Sequence, residues 1–182
     1  AGTSGAYGIR ITGGADLVTT SSGAITLTGT SGAGGVAGNN GVGIDGAGTS
    51  ITAVDGAIGI TGTGFGSGSA NTGVTITSAT ISSTGASGTG TITISGTGGA
   101  GSDNHGVIIN SNAPSTVSSV TGDITITGTG GAGAASHGVV LEASSLTGFA
   151  GVKSTGSADI TLIGTTAGAG FGLQSRDGGS GI

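Results

Sequence analysis

Short alternations of apolar and polar residues, each bounded by glycine, run the length of the chain. The first kind reads glycine, apolar, any residue, apolar. It occurs as Gly8-Ile9-Arg10-Ile11, Gly41-Val42-Gly43-Ile44, Gly73-Val74-Thr75-Ile76, Gly106-Val107-Ile108-Ile109, Gly138-Val139-Val140-Leu141 and Gly170-Phe171-Gly172-Leu173, at steps of 33, 32, 33, 32 and 32 residues. A second kind, I-T-I-T-G-T in its commonest form, runs from Ile25 to Thr30, Ile58 to Thr63, Ile92 to Thr97, Ile124 to Thr129 and Ile160 to Thr165, in phase with the first. A looser third element places apolar residues among Ser and Thr at Leu17, Ile51, Ile81, Val117 and Leu146. A period of two over four to six residues predicts short strands with one buried face. Helix is excluded, because glycine interrupts every stretch of helical length at about 1 kcal/mol per occurrence.

A repeat holding two or three short strands cannot bury its own apolar face, whereas stacking successive copies in register does. The prediction is an all-β fold, a right-handed parallel β-helix of about 32 residues per coil, with three short strands per coil and five to six coils. The handedness rests on the general preference of parallel crossover connections. Residues 1–182 form one segment, with copies at roughly 8–40, 41–72, 73–105, 106–137, 138–169 and a partial 170–182. Ile25, Ile58, Ile92, Ile124 and Ile160 form one internal column; Ile11, Ile44, Ile76, Ile109, Leu141 and Leu173 form another. A coil of about 16 residues, with the two anchors on successive coils, is the competing count. Neither Ala1 to Tyr7 nor Arg176 to Ile182 reads as a cap, so the expectation is an excerpt of a longer repetitive chain or end-to-end polymerisation.

Composition changes the picture in three ways. The 182 residues include 46 Gly, one Pro and no Cys, Met or Trp, a bias that signals disorder without a period and a repeat architecture with one. Three Lys plus Arg against eight acids leave no basic patch, which argues against nucleic acid or an anionic membrane as partner. Without Cys there is no disulfide framework, thiolate zinc site or cysteine nucleophile, and the apolar runs are too short for membrane insertion as a helix.

Several positions carry chemistry worth locating. Asn39, Asn71 and Asn104, with Ser136 following, sit two residues ahead of the anchor glycine, so their side chains should stack and exchange hydrogen bonds along a column. His105 and His137 sit one residue ahead of it, in a ladder whose other members are Tyr7, Asn40, Thr72 and Ala169. Two stacked imidazoles suggest a metal, but no Cys and no clustered carboxylates complete a ligand set. Gly98 to Asp103 matches the start of a calcium-binding nonapeptide once, and Gly130 to Ala135 lacks the aspartate, so a tight turn is the expectation. Asp123 and Asp159 align on adjacent coils as a pair of like charges. No cofactor, metal or catalytic residue is expected. Outward-facing Thr26, Thr28, Thr93, Ser95, Thr125 and Thr127 form a Thr-rich face, interrupted by Gly59 and Ile163, that suits ice binding or simple solvation. Ile108 and Val140 are expected to point outward as a small apolar patch for lateral contact. Phe65 and Phe149 fall in loops.

The copies Gly90-Thr91-Ile92-Thr93-Ile94-Ser95-Gly96-Thr97-Gly98-Gly99 and Gly122-Asp123-Ile124-Thr125-Ile126-Thr127-Gly128-Thr129-Gly130-Gly131 resemble the G-D-I-T-I-T-G-T-G-G repeats of giant bacterial surface adhesins of the filamentous-haemagglutinin-like type. The resemblance implies a secreted parallel β-helix displayed outside the cell, with roles in adhesion, biofilm or extracellular fibres. The expectation is a non-catalytic structural segment of a fibre, filament or adhesin stalk at the cell surface. Its partners would be further copies of itself, end to end or side by side, or a host-surface glycan. The alternatives are a carbohydrate-active β-helix enzyme and a Thr-array ice-binding protein.

Overall fold

The computed structural model describes residues 5–32, 37–143, 149–176 and 180–181. Among them the chain is all strand and turn, in the order β1 (Tyr7–Thr12), β2 (Asp16–Thr19), β3 (Ile25–Thr30), β4 (Asn40–Ala53), β5 (Ile58–Thr63), β6 (Val74–Ser83), β7 (Ile92–Thr97), β8 (Val107–Ser111), β9 (Ser115–Ser119), β10 (Ile124–Gly130), β11 (Val139–Ala143), β12 (Ala150–Ser154), β13 (Ile160–Thr166), β14 (Leu173–Arg176) and β15 (Ser180–Gly181). All pairings are parallel, and each joins a residue to its equivalent one coil away. Ile25 pairs with Ile58, Ile58 with Ile92, Ile92 with Ile124 and Ile124 with Ile160. A coil is therefore about 33 residues, and the 16-residue count is excluded.

The three strand positions of a coil build two sheets. The I-T-I-T-G-T strands form a five-stranded sheet, β13-β10-β7-β5-β3, while the other two positions share a ten-stranded sheet. They are joined because β4 and β6 each run through the corner between the first and third elements as one bent strand. In β6 the chain turns that corner at Ser78 with φ 55°; in β4 a bulge between Asp45 and Thr49 does so. Bulges and left-handed residues re-aim a strand without ending its pairing.

Between the sheets lies a single thin core one coil deep and continuous along the axis. Ile44, Ile76 and Ile109, Ile60, Ile94 and Ile126, and Ile51, Ile81 and Val117 are each at most 1% exposed. β-Branched side chains dominate because they fit a pleated surface.

Two columns differ from expectation. Leu173 lies opposite Val139, and Ser175 lies opposite Leu141. The anchor of the sixth copy is thus Gly172-Leu173, shifted by two residues, because Phe171 takes the place one residue ahead of the anchor glycine. In the third element, Leu146 lies outside the described residues, and the partner of Val117 is Val152, which is fully buried. The corner between Leu141 and Val152 is long, 11 residues against five from Ile76 to Ile81, which displaces the column.

A seam of glycine closes one edge of the coil. Where each I-T-I-T-G-T strand ends, the chain leaves in a loop and returns as the first strand of the next coil, and the two main chains nearly touch. A methyl group on Gly96 would overlap the carbonyl oxygen of Gly106 and come 2.8 Å from Cγ2 of Val107, and Gly29, Gly62 and Gly128 meet the next coil in the same way. Gly8, Gly41, Gly73 and Gly106 answer from the other side, each too close to the strand end of its own coil to carry a side chain.

Candidate functional site

The loop that leaves the seam carries two polar columns. Asn39, Asn71, Asn104 and Ser136 are fully buried on successive coils. Each side-chain oxygen accepts the main-chain N–H of the equivalent residue on the preceding coil: Asn39 N–H to Asn71 Oδ1 at 2.9 Å, Asn71 N–H to Asn104 Oδ1 at 2.7 Å, and Asn104 N–H to Ser136 Oγ at 3.1 Å. Only Asn39 also donates amide to amide, through Nδ2 to Asn71 Oδ1 at 2.9 Å; Asn71 and Asn104 give their Nδ2 protons to the Gly68 carbonyl. The residue before each member, Ala70, Asp103 and Ala135, has φ of 52° to 57°. Left-handed geometry costs an alanine or aspartate of order 1–2 kcal/mol, and the buried hydrogen bonds beside it hold the turn there. Asp103 is thereby a turn residue equivalent to two alanines.

One residue on, a second column runs the opposite way. Here a side chain accepts the N–H of the following coil: Thr72 N–H to Asn40 Oδ1 at 3.0 Å, His137 N–H to His105 Nδ1 at 3.2 Å, and Phe171 N–H to His137 Nδ1 at 2.9 Å. The rings of His105 and His137 stack at 5.2 Å between centroids, and those of His137 and Phe171 at 5.4 Å. Phe171, rather than Ala169, is the sixth member. At the other end Tyr7 lies over Gly43, its ring occupying the space a side chain there would need, with the Arg10 guanidinium 4.9 Å from the ring centroid and ion-paired to Asp45 at 2.9 Å. The hydrogen bond from Arg10, foremost, holds the Asp45 carboxyl below its usual range.

Both imidazoles use Nδ1 as acceptor, so each is the neutral Nε2–H tautomer. Burial, then the neighbouring His137 and Arg176, pushes His105 down to about 4, against an opposing pull from Asp103; burial also lowers His137. At His105 the unfolded chain takes up a proton near pH 6.5 that the folded chain refuses until about pH 4. Stability is therefore full above about pH 6.5 and falls as the pH drops towards 4, by up to about 3 kcal/mol. Urea unfolding across this window checks the expectation: a midpoint unchanged from pH 7 to pH 4 would contradict it, and His105→Phe should flatten the slope.

Asp123 and Asp159 do not sit as a bare like-charge pair: Asp123 Oδ1 accepts the main-chain N–H of Asp159 at 3.0 Å. Among the described residues no three His, Cys, Asp or Glu side chains gather as a metal-ligand group.

The expected apolar contact patch does not form. Val140 is fully buried and Ile108 is 8% exposed. Ile108 instead lines a groove with Thr72, Thr75, His105 and Asn110. Phe65, in the loop beyond β5, is 49% exposed, and Phe149 is 37% exposed.

The outer side of the five-stranded sheet is a lattice. Pairing without any register shift aligns Thr26, Gly59, Thr93, Thr125 and Thr161 in one column, Thr28, Thr61, Ser95, Thr127 and Ile163 in a second, and Thr30, Thr63, Thr97, Thr129 and Thr165 in a third. None of the fifteen is buried. The third column lies beyond the I-T-I-T alternation, and its signal in the sequence is the final Thr of I-T-I-T-G-T.

The chain matches no protein-family model, and neither a curated protein nor a solved structure is similar to it.

Proposed function

We propose that this chain is a non-catalytic β-solenoid shaft, a segment of an extracellular fibre, filament or adhesin stalk at the cell surface. The observation that carries the reading is the continuity of coil-to-coil bonding. Among the described residues every interface between successive coils is spanned by parallel main-chain pairing, and wherever the two columns supply an acceptor the turn adds a side-chain hydrogen bond to it. Such a rod transmits tension through its own backbone and lengthens by adding copies, about 4.8 Å per coil. The resemblance of the repeat to those of filamentous-haemagglutinin-like adhesins supports the same reading. Partners on this view are other rods or a surface glycan.

Electron microscopy of native material, with antibody labelling of intact cells, tests it. The expected result is thin rods on the cell surface and a 4.8 Å repeat along the rod axis in diffraction from aligned material. Monodisperse globules confined to the cytoplasm would refute it.

A further inference from the structure

We propose that the threonine face binds ice, the solenoid presenting a fixed array of hydroxyl and methyl groups to a crystal plane. This goes beyond the shaft reading and stands or falls separately from it.

Regularity is the first support. The five strands pair in unbroken register, so outward groups repeat at about 4.8 Å from coil to coil and about 6.6 Å between alternate residues along a strand. The coil repeat is close to the shorter spacing of oxygen rows on the prism planes of hexagonal ice, and the strand repeat falls short of the longer one by roughly a tenth. Twelve of the fifteen positions are threonine, one is serine, and the exceptions are Gly59 and Ile163.

The second support is that the hydroxyls are unspent. Thr129 and Thr165 share a hydrogen bond at 3.1 Å, and Thr165 also reaches the Gly128 carbonyl at 3.5 Å; among the described residues the other hydroxyls of the array have no hydrogen-bond partner. Each is free to donate and accept. The β-branched side chain has a restricted χ1, and close neighbours above and below limit it further, so water bound across the array is held at fixed points.

The third support is a comparison inside the molecule. If threonine were present only as a good strand former, the ten-stranded sheet should show it equally at its outward positions. There the first-element columns read Arg10, Gly43, Thr75, Ile108, Val140, Gln174 and Thr12, Asp45, Thr77, Asn110, Glu142, Arg176; the third-element columns, Asp16, Ser50, Thr80, Thr116, Gly151 and Val18, Thr52, Ser82, Ser118, Lys153, carry hydroxyls but begin or end on a charge. Charged and amide groups stand in these columns and in none of the three threonine columns, whose single aliphatic member is Ile163. An uncharged lattice suits ice, which admits no ions and offers only hydroxyl donors and acceptors. The acids nearest the array, Asp123 and Asp159, stand at its leading edge, before the first core isoleucine.

Thermal hysteresis and ice-recrystallisation inhibition of the full chain test the proposal. The wild-type protein should widen the gap between melting and freezing points and facet ice crystals. Ser95→Tyr with Thr127→Tyr, at the centre of the array, should abolish both, whereas Ser118→Tyr, on the outward side of the other sheet, should leave both intact. Gly59→Thr with Ile163→Thr fills the two gaps, and a side chain at Gly59 meets nothing within 4 Å, so this variant should fold and show greater hysteresis than wild type. Absence of hysteresis in both wild type and the completed array would overturn the assignment, as would equal loss in the Ser118→Tyr protein. A dimer in sedimentation that dissociates on Thr127→Tyr would give the face to a second copy instead.

Discussion

Gly96→Val is expected to destabilise the fold by at least about 3 kcal/mol, and Gly128→Val by as much, with urea-unfolding midpoints as the measurement. The reason is the seam. A branched side chain at Gly96 would enter the space of the Gly106 carbonyl, and at Gly128 that of Gly138, with Val107 and Val139 less than 3 Å behind. Main chain cannot rotate away as a flexible side chain can, so the two strands must separate. That separation strains the loop carrying the buried asparagine column and spreads to the next coil, whose first strand begins at the displaced glycine. Gly59→Ala is the matched comparison: the same sheet, an outward position and open space. It should be neutral or stabilising by a few tenths to about 1 kcal/mol, from the lowered entropy of the unfolded chain. Equal stability of Gly96→Val and wild type would mean that the two main chains do not meet there.

This contrast also shows how the glycines divide. The sequence displays 46 of them with little to rank one above another, yet those in the fifth place of I-T-I-T-G-T and those opening the first anchor face each other across the seam, while Gly59 merely interrupts an outward column. The distinction is steric and belongs to two segments meeting in space. What the sequence did carry was register. The isoleucines of the second anchor pair from Ile25 to Ile160 without a slip, because a period-two pattern moved by one residue would turn every apolar side chain outward.

Constant spacing sets Leu173 opposite Leu141, two residues from its actual partner Val139. A ring ahead of the anchor glycine was the better guide: Tyr7-Gly8, His105-Gly106, His137-Gly138 and Phe171-Gly172 share that order, and stacking of His137 on Phe171 fixes the last copy. Alternation likewise places Ile108 and Val140 outward, where they are, but does not show that both are covered, at 8% and 0% exposure. The third element was the least legible, because its corner varies in length, and loop length is poorly constrained where the chain can bulge or turn left-handed.

Asn71→Ala is expected to cost about 4 kcal/mol, an effect on the scale of the seam variants. Truncation removes the acceptor for two donors at once, the main-chain N–H and the Nδ2 of Asn39, both at 2.9 Å and both buried. An orphaned buried donor costs about 1–3 kcal/mol, and the small void adds to it. Gly68 suffers less, since its carbonyl keeps the Nδ2 proton of Asn104 at 3.0 Å. Ser136→Ala orphans a single N–H, that of Asn104, and should cost about half as much. A ladder of hydrogen bonds thus predicts an order set by the number of donors lost. The measurement is equilibrium unfolding of both variants, with hydrogen exchange at the Asn39 amide as a local reporter. If Asn71→Ala costs less than Ser136→Ala, or leaves protection at Asn39 unchanged, the column contributes packing alone, and the coils of this rod are held together by their sheets without it.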